Sequence, residues 1–575
     1  MSNVHADTAR DFAPRLLASA VSGVLLVFIS APENVHWMHW LSFLPMLWAL
    51  RPGQTKANGL VAWFGGWIAI FILYFWIIET IIRFSNVPWI AAFAVHLLFS
   101  TVFSLPYLIM GRAVHWLRSR LGEAWTLALP GLWVTMEMLP TLFPYYHGVS
   151  QYRFMPTWQL ASVFGVTSLT FLVWWSNSVA MELVWRRREG RPLPLRSLGA
   201  FMAVFLGNLA FGSWRIDQVE TALEAAPVVK VALLQHDVEM DVRLSEHPSI
   251  TTKAWVDSTR ATLNDKPDLV IWPEGAILYN PDEERKAEWL GRQSPKEFFS
   301  GWTARYDFHL LIGGGTWEVT EGPDGRPKTT SYNSAYAYNR QGELIGRYDK
   351  MIPLPFGEYI PGASWFPWLA SQIEGVGNFQ PGDTPTTFHA KNGEGVDYTY
   401  SVPICYEAIL NMSMWWLYEG TGDRPVDLFV VITNDAWFGN TSSPHQHAML
   451  TTVQAMEFGR PMVRTAYTGV SWIVEPHGRI VGETGTFEDL AKVEEVRLAT
   501  IQTPYVAGGW VFPYLCILGT VAAVVIGRRR DPEEPDGDGT TDAPSSTGNE
   551  TPSDEATDAA KAEDSPAPAD DAQDA

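Results

Sequence analysis

Three residues of this 575-residue chain have the types needed to move an acyl group through a covalent intermediate. Cys405 ends an apolar run in SVPICYEAIL, Glu274 follows one in DLVIWPEGAIL, and Lys350 opens the loop RYDKMIPLPFGEYIP. A thiol attacks as its thiolate, so it needs a base to take its proton and a cation to favour the anion. A carboxylate held in apolar surroundings, as the neighbours of Glu274 imply, gains the proton affinity of a general base. A lysine suits the oxyanion of a tetrahedral intermediate. Glu358 shares the proline-stiffened loop with Lys350, while Tyr406 and Glu407 follow the thiol directly.

Taken singly, each residue has an ordinary structural role. Lone cysteines after apolar runs are mostly core residues. A glutamate after Trp-Pro commonly marks a turn or a helix start, and a loop lysine is usually solvated. Other chemistries fit less well. His445 and His447 are two apart and do not share a helix face in the manner of metal ligands, and only one thiol is near in sequence. A zinc site is therefore not expected, and a covalent nucleophile needs no metal or organic cofactor. FHLLIGGGTWE lacks the Lys-Ser/Thr of a phosphate loop, and nothing resembles a nucleic-acid-binding motif.

The elements that must position these groups lie within residues 225–500. VVKVALLQ (228–235), DLVIWP (268–273), FHLLIGGG (308–315), YTYSVPIC (398–405) and DLFVVIT (427–433) are continuous apolar, β-branched runs, as expected of strands buried on both faces. The stretches near 283–305 and 444–459 read as helices, the second opened by Ser442, Ser443 and Pro444. Strands alternating with helices predict an α/β domain with its polar groups at strand ends. Cys405 is the only cysteine of this segment, which excludes a disulfide within it; the other, Cys516, lies in an apolar stretch near the C-terminus.

The flanks are of another kind. The chain has 27 Trp and 29 Phe, and its 18% charged residues are few for a soluble protein of its size. Apolar stretches near 14–31, 36–50, 59–82, 88–111, 124–140, 158–185 and 197–213, and a last one near 507–527, predict about eight membrane helices; 36–50 is short enough to be re-entrant or tilted. Asp7 and Asp11 spoil a positively charged leader, so the first stretch reads as a retained helix. Arg51, Lys56, Arg118, Arg120, Arg186–Arg188, Arg191, Arg196 and Arg528–Arg530 fall in alternate loops. Positive residues stay on the cytoplasmic side. Both termini are then cytoplasmic and residues 225–500 are exported. Residues 531–575 hold fifteen acidic residues and one lysine, with almost nothing apolar, and are expected to be disordered.

The order Glu274, Lys350, Cys405 resembles the catalytic set of the nitrilase (carbon–nitrogen hydrolase) superfamily. PFGEYIP, ICYE, TNDAWFG (433–439) and FGRPMVR (458–464), with FPYYHGVSQYRF (143–154) and LASVFGVTSLTFLVWWSN (160–177), are similar to the apolipoprotein N-acyltransferase family. The resemblance covers roughly residues 10–530, and several motifs in order are more specific than any alone. It implies a multi-domain architecture: a transmembrane helical bundle (1–215), an αββα sandwich (225–500), a closing helix (505–530) and the acidic tail (531–575). It further implies a multi-pass protein of the bacterial inner membrane. Cys405 would take an acyl chain from a phospholipid as a thioester and pass it to the N-terminal amine of a diacylated apolipoprotein. Glu274 would act as base, Lys350 as oxyanion partner, and Glu358, Tyr406 and Glu407 in support. A membrane-anchored amidase, in which water resolves the thioester, and a non-catalytic lipid or lipoprotein binder are the alternatives.

ASWFPWLA (363–370) and NMSMWWLYEG (411–420) read as loops dense in apolar side chains. Tryptophan is favoured at a membrane interface, so Trp365, Phe366, Trp368, Trp415 and Trp416 are the candidates for lipid access. Three departures from the family pattern touch substrate fit: Gln235-His236-Asp237 in place of Gln-Gly-Asn, Leu244 for a tryptophan, and Ala466-Tyr467-Thr468 for an Asn-rich turn.

Overall fold

The computed structural model describes residues 2–84, 87–141, 143–237, 247–321, 326–362 and 378–530. Its first half is helical: Ser2–Phe28, Thr55–Leu73, Trp76–Phe84, Trp89–Phe103, Leu105–Leu121, Trp125–Glu137, Val166–Arg188 and Leu195–Glu224, joined later by Phe512–Arg529. Among the described residues, five stretches are long and apolar enough to cross a membrane: 11–28, 55–73, 89–137, 195–224 and 509–529. Leu98, Leu206 and Leu518 are 54–65% exposed on their outer faces, a distribution that suits hydrocarbon rather than water. The expected stretch 36–50 is broken into a 3-10 turn, His36–Trp40, and a five-residue helix, Leu44–Trp48. The stretch 59–82 is divided between two helices at Tyr74–Phe75.

A charged side chain inside such a bundle must be fully paired. Arg15, 2% exposed, donates to the Ala49 carbonyl, Gln54 and Asn58. The basic loops gather at one end. Arg51 and Arg188 both lie over the Trp48 ring, Arg118 pairs with Glu182 and Glu189, and Arg120 donates to the Arg530 carbonyl.

The second half is built on twelve strands: β1 Val228–Gln235, β2 Leu269–Trp272, β3 His309–Glu321, β4 Pro327–Tyr338, β5 Leu344–Asp349, β6 Phe388–Lys391, β7 Asp397–Ser401, β8 Leu428–Thr433, β9 Met462–Ala466, β10 Trp472–Val474, β11 Ile480–Val481 and β12 Leu490–Arg497. They form two six-stranded sheets, ordered β12-β1-β2-β3-β4-β5 and β11-β10-β9-β8-β7-β6. The central pairs β1–β2, β2–β3, β7–β8 and β8–β9 are parallel. Val231, Leu233 and Ile271 of the first sheet meet Tyr400, Val430 and Ile432 of the second in one core. The outer face of the first sheet packs on Trp255, Phe299 and Trp302 of helices Pro248–Thr262 and Pro295–Tyr306. The outer face of the second packs on Met414, Met449 and Val453 of helices Asn411–Glu419 and Ser443–Phe458. This is a four-layer αββα sandwich, with both sheets covered as their continuous apolar runs require.

Two local expectations change. The helix expected near 283–305 begins only at Pro295, where Ser294 and Glu297 form a capping box. The segment 411–420, expected as a loop, is a helix over Asn411–Glu419. The spacing of Met414, Leu417 and Tyr418 supplies a buried stripe at helical period.

The sandwich is fastened to the bundle by polar contacts. The Trp76 indole donates to Gln446 Oε1 (3.1 Å), and Gln446 Nε2 donates to the Leu73 carbonyl (3.1 Å). Glu457 Oε1 accepts from the Val166 amide at the start of the central bundle helix (2.8 Å). A carboxylate at that position satisfies an otherwise open helical N–H.

Candidate active site

Each reacting group stands where a strand gives way to a turn. Trp272 ends β2, Pro273 has no amide to continue it, and Glu274 follows. A Cβ at Gly313 of the neighbouring β3 would strike the Pro273 carbonyl and Glu274 Cα, so the glycine lets this turn settle against the sheet. Lys350 directly follows β5, its amide donating to the Asn333 carbonyl of β4 (2.9 Å). Cys405 opens the 3-10 turn Cys405–Ile409, two layers away in sequence but adjacent in space. Its φ is +53°, a left-handed conformation that costs a side-chain-bearing residue roughly 1–2 kcal/mol. Such strain survives only where the surroundings hold it, and it turns Cys405 off the strand line.

Glu274, Lys350 and Cys405 are 6%, 2% and 5% exposed, so their charges must be balanced by one another. Lys350 Nζ lies 2.7 Å from Glu358 Oε2 and 3.5 Å from Glu274 Oε1. Burial opposes the ammonium, but the carboxylates of Glu358 and Glu274 outweigh it and raise the Lys350 pKa. Asn333 Nδ2 braces both carboxylates, donating to Glu274 Oε1 (2.7 Å) and Glu358 Oε1 (2.6 Å). The Asn434 amide donates to Glu274 Oε2 (2.8 Å), and the Leu354 amide to Glu358 Oε2 (2.6 Å). Burial and the nearby Glu274 push the Cys405 thiol well above its usual range, with Lys350 acting in the opposite sense. At rest the thiol keeps its proton. Passing that proton to Glu274 leaves the charge of the cluster unchanged, whereas losing it to solvent would add a buried negative charge. The first route is the cheap one.

Glu407 does not touch the reacting groups; it ties their loops together. Oε1 accepts from the Tyr348 hydroxyl (2.8 Å) and the amides of Met351 (2.7 Å) and Ile352 (3.1 Å). Oε2 accepts from the Ile404 amide (2.9 Å). One buried carboxylate therefore locks the turn carrying Cys405 to the loop carrying Lys350. Burial lifts its pKa to about 7 against these donors and Lys350.

Behind the thiol lies a second ionic group. Asp435 and Arg464 are fully buried and pair at 2.7 Å; His447 Nδ1 sits 2.9 Å from Asp435 and Nε2 3.3 Å from the Cys405 carbonyl. Arg464 and His447 hold the Asp435 carboxyl well below the usual range in spite of burial.

In front of the thiol is a narrow cleft with a cavity volume of about 40 Å³. One wall is Leu354, Tyr406, Ile409, Phe438 and Leu450 of the sandwich; the other is Tyr74, Trp76, Phe143 and Tyr145 of the bundle. Its lining is almost wholly apolar. Tyr406 meets Phe143 edge-on at 6.4 Å between ring centroids.

The structure thus brings together Glu274, Lys350, Cys405, Glu358, Tyr406 and Glu407. Trp365, Phe366 and Trp368 lie outside the described residues, as does Leu244. Trp415 is half-buried and packs against Phe458 and Tyr505, centroids 5.0 and 6.1 Å away. Only its neighbour Trp416 turns outward, 40% exposed. Sequence reasoning overlooked Asn333, which sits mid-strand in SYNSAYAY with no local signal. It gave no role to Asn434, Asp435 or Arg464, although TNDAWFG and FGRPMVR had marked the segments. Of the departures, His236 contacts Asp489 and Ser258. The Tyr467 amide donates to the Thr433 carbonyl, continuing the sheet.

Comparison with known proteins adds an independent observation. A family model described as apolipoprotein N-acyltransferase N-terminal domain matches residues 22–179, and one described as carbon-nitrogen hydrolase matches residues 230–507. An apolipoprotein N-acyltransferase of Geobacter metallireducens is 30% identical over 531 residues, 89% of this chain and 95% of its own. One from Haemophilus influenzae is 26% identical over 503 residues, 85% and 90% of the two chains. Among solved structures, an amidase from Nesterenkonia sp. aligns over 49% of this chain and 92% of its own at 19% identity, with a TM-score of 0.33.

Proposed function

The chain belongs to the apolipoprotein N-acyltransferase family, and on that premise we propose how its residues transfer an acyl chain from a phospholipid to the N-terminal amine of a diacylated apolipoprotein. Cys405 Sγ gives its proton to Glu274 and bonds to the ester carbonyl carbon. Lys350 faces the negative charge that grows on the carbonyl oxygen. The ester C–O bond breaks, Glu274 returns the proton to the leaving oxygen, and a lysophospholipid departs from the thioester. The amine of the lipidated cysteine then attacks the same carbon and Glu274 takes its proton. As the C–S bond breaks, that proton restores the thiol. Glu358 sets Lys350, and Glu407 sets the distance between the Lys350 and Cys405 loops.

The observation that carries this reading is the pocket. Cys405, from a charge-balanced Glu–Lys–Cys cluster, lines an apolar space whose far wall is the helical bundle. An acyl chain suits so apolar a lining, and a small soluble amide would gain little from it. The orientation follows from charge. The basic loops collect at one end of the bundle, while the Trp76–Phe143 end meets the sandwich. By the positive-inside rule the sandwich faces the exported side of the bacterial inner membrane and both termini are cytoplasmic. Trp416 belongs to the membrane-facing rim, with Trp365, Phe366 and Trp368 as its companions for lipid access.

The test is a two-stage incubation. Purified enzyme in phospholipid vesicles carrying a labelled acyl chain is expected to release lysophospholipid once per enzyme, and to form labelled N-acyl peptide only after a diacylated lipopeptide is added. Free labelled fatty acid without N-acyl peptide would make the protein a hydrolase, and no lysophospholipid at all would make it a binder.

A further inference from the structure

We propose that His447 is a positioning residue for the nucleophile: its Nε2–H, braced from behind by Asp435 and Arg464, grips the Cys405 carbonyl and fixes the thiol in its attacking orientation. The proposal rests on the thioester chemistry above and assigns a part of the site that this chemistry leaves unused.

The argument starts from Cys405 itself. At φ +53° the backbone is in a region that side-chain-bearing residues avoid, so something must hold it there. Glu407 holds the amide of Ile404, one residue before the thiol (2.9 Å). The carbonyl of Cys405 points the other way, to His447 Nε2 at 3.3 Å. A carbonyl oxygen only accepts, so Nε2 carries the hydrogen in this contact. With the hydrogen on Nε2, Nδ1 is the acceptor and Arg464 Nη2, 3.2 Å away, its donor. Asp435 Oδ1 lies 2.9 Å from the same nitrogen and fixes the ring through Arg464, whose Nη2 also donates to Asp435 Oδ2 at 2.7 Å. Asp435 and Arg464 are 0% exposed. Gly469 leaves the room this needs, since a Cβ there would overlap the Asp435 carboxylate.

An ion pair buried to that degree gains little net stability over apolar packing. Its placement is better explained by what it steadies. The chain Asp435–Arg464–His447 ends on the backbone of the one residue whose orientation sets the reaction geometry. His447 also lines the pocket in front of the thiol, yet its contact with Cys405 is through the carbonyl and not through Sγ, so it acts by placement.

The test compares two polar replacements in the full-length enzyme, His447→Gln and His447→Asn, by single-turnover thioester formation from labelled phosphatidylethanolamine. Gln presents an N–H near the position of Nε2, while Asn falls one methylene short. His447→Gln is expected within about threefold of wild type and His447→Asn about 30-fold slower, as expected of a reacting group misplaced by a fraction of an ångström to an ångström. The half-saturating phospholipid concentration and the unfolding temperature should not move. Equal rates for the two variants, or a change confined to half-saturation, would overturn the proposal. Should His447→Asn not fold, wild-type enzyme labelled with ¹⁵N-histidine decides the matter. An Nε2–H of His447 protected from solvent exchange supports the contact, and its absence refutes it. Wild-type enzyme that forms no thioester would count against the proposed function, while the ¹⁵N signal would still test the geometry.

Discussion

The chain has two cysteines, and they are almost equally buried: Cys405 is 5% exposed and Cys516 7%. Cys516 sits on the Phe512–Arg529 helix, facing the Trp125–Glu137 helix in a span that is otherwise apolar. Cys405 sits on a strained turn between Glu274 and Lys350, with Glu407 before it and His447 behind. Burial alone therefore makes a thiol inert. A carboxylate, Glu137, is also near Cys516, so what separates the two is Lys350, which balances the thiolate beside Cys405 and holds Glu274 next to it.

The largest effect expected from this contrast is that Cys405→Ala abolishes N-acylation, while Cys516→Ala leaves it within about twofold, the usual range for a small apolar replacement in a packed segment. A lipopeptide acylation assay on both variants decides it. Next come the partners of Cys405. Glu274→Gln removes the proton acceptor and is expected to slow thioester formation ~10³-fold, within the range for general-base loss. Lys350→Met should slow it ~10²–10³-fold, as for loss of an oxyanion partner. If either variant kept near-wild-type single-turnover rates, Cys405 would differ from Cys516 for some other reason.

A smaller effect concerns pH. The four donors around Glu407 need the carboxylate form, and burial sets its pKa at about 7. Transfer should therefore fall as pH drops through about 7. Stability should move the other way. A carboxyl whose folded pKa is raised binds its proton more tightly in the native state, so it adds stability as pH falls from about 7 towards the ordinary carboxylate value. Glu457, also lifted to about 7 by burial, contributes with the same sign. Rate and unfolding temperature measured on one set of buffers should diverge below neutrality; a parallel decline would contradict the assignment. The smallest effect is at the rim. Trp416→Ser should lower transfer from vesicles by less than about threefold, the loss of one exposed aromatic anchor at the interface, with no change for a detergent-dispersed donor.

Much of this was legible in the sequence, and the parts that were not share a physical reason. Glu274 and Cys405 stood out because each follows a continuous apolar run, and strand ends are where such runs meet polar chemistry, while Lys350 stood out in its proline-stiffened loop. The α/β class followed from the same runs, since strands apolar on both sides need covering helices, whereas the αββα layering came from the resemblance to the nitrilase superfamily. Asn333 was invisible: it is one polar residue within a strand, and its two carboxylate partners are 59 and 25 positions away. His447 was weighed only as a metal ligand, because its contacts with Asp435 and Cys405 depend on how a helix lies across the sheet edge. Trp415 and Trp416 show the opposite error. Aromatic density suggested a surface loop, whereas the helical period of Met414, Leu417 and Tyr418 leaves Trp415 half-buried and Trp416 exposed. The shortness of 36–50 had marked it as re-entrant or tilted, but the break at Tyr74–Phe75 escaped hydropathy because it measures composition and not the path of the chain.

The most direct test of the account is to locate the acyl group. Enzyme incubated with phospholipid alone, quenched in acid and digested, is expected to carry one acyl chain on the peptide containing Cys405 and none on that containing Cys516. Neutral hydroxylamine should release it as a thioester, and Cys405→Ala should eliminate it. An acyl chain found on Cys516 or on a hydroxyl, or N-acyl lipopeptide formed by Cys405→Ala, would contradict the central claim.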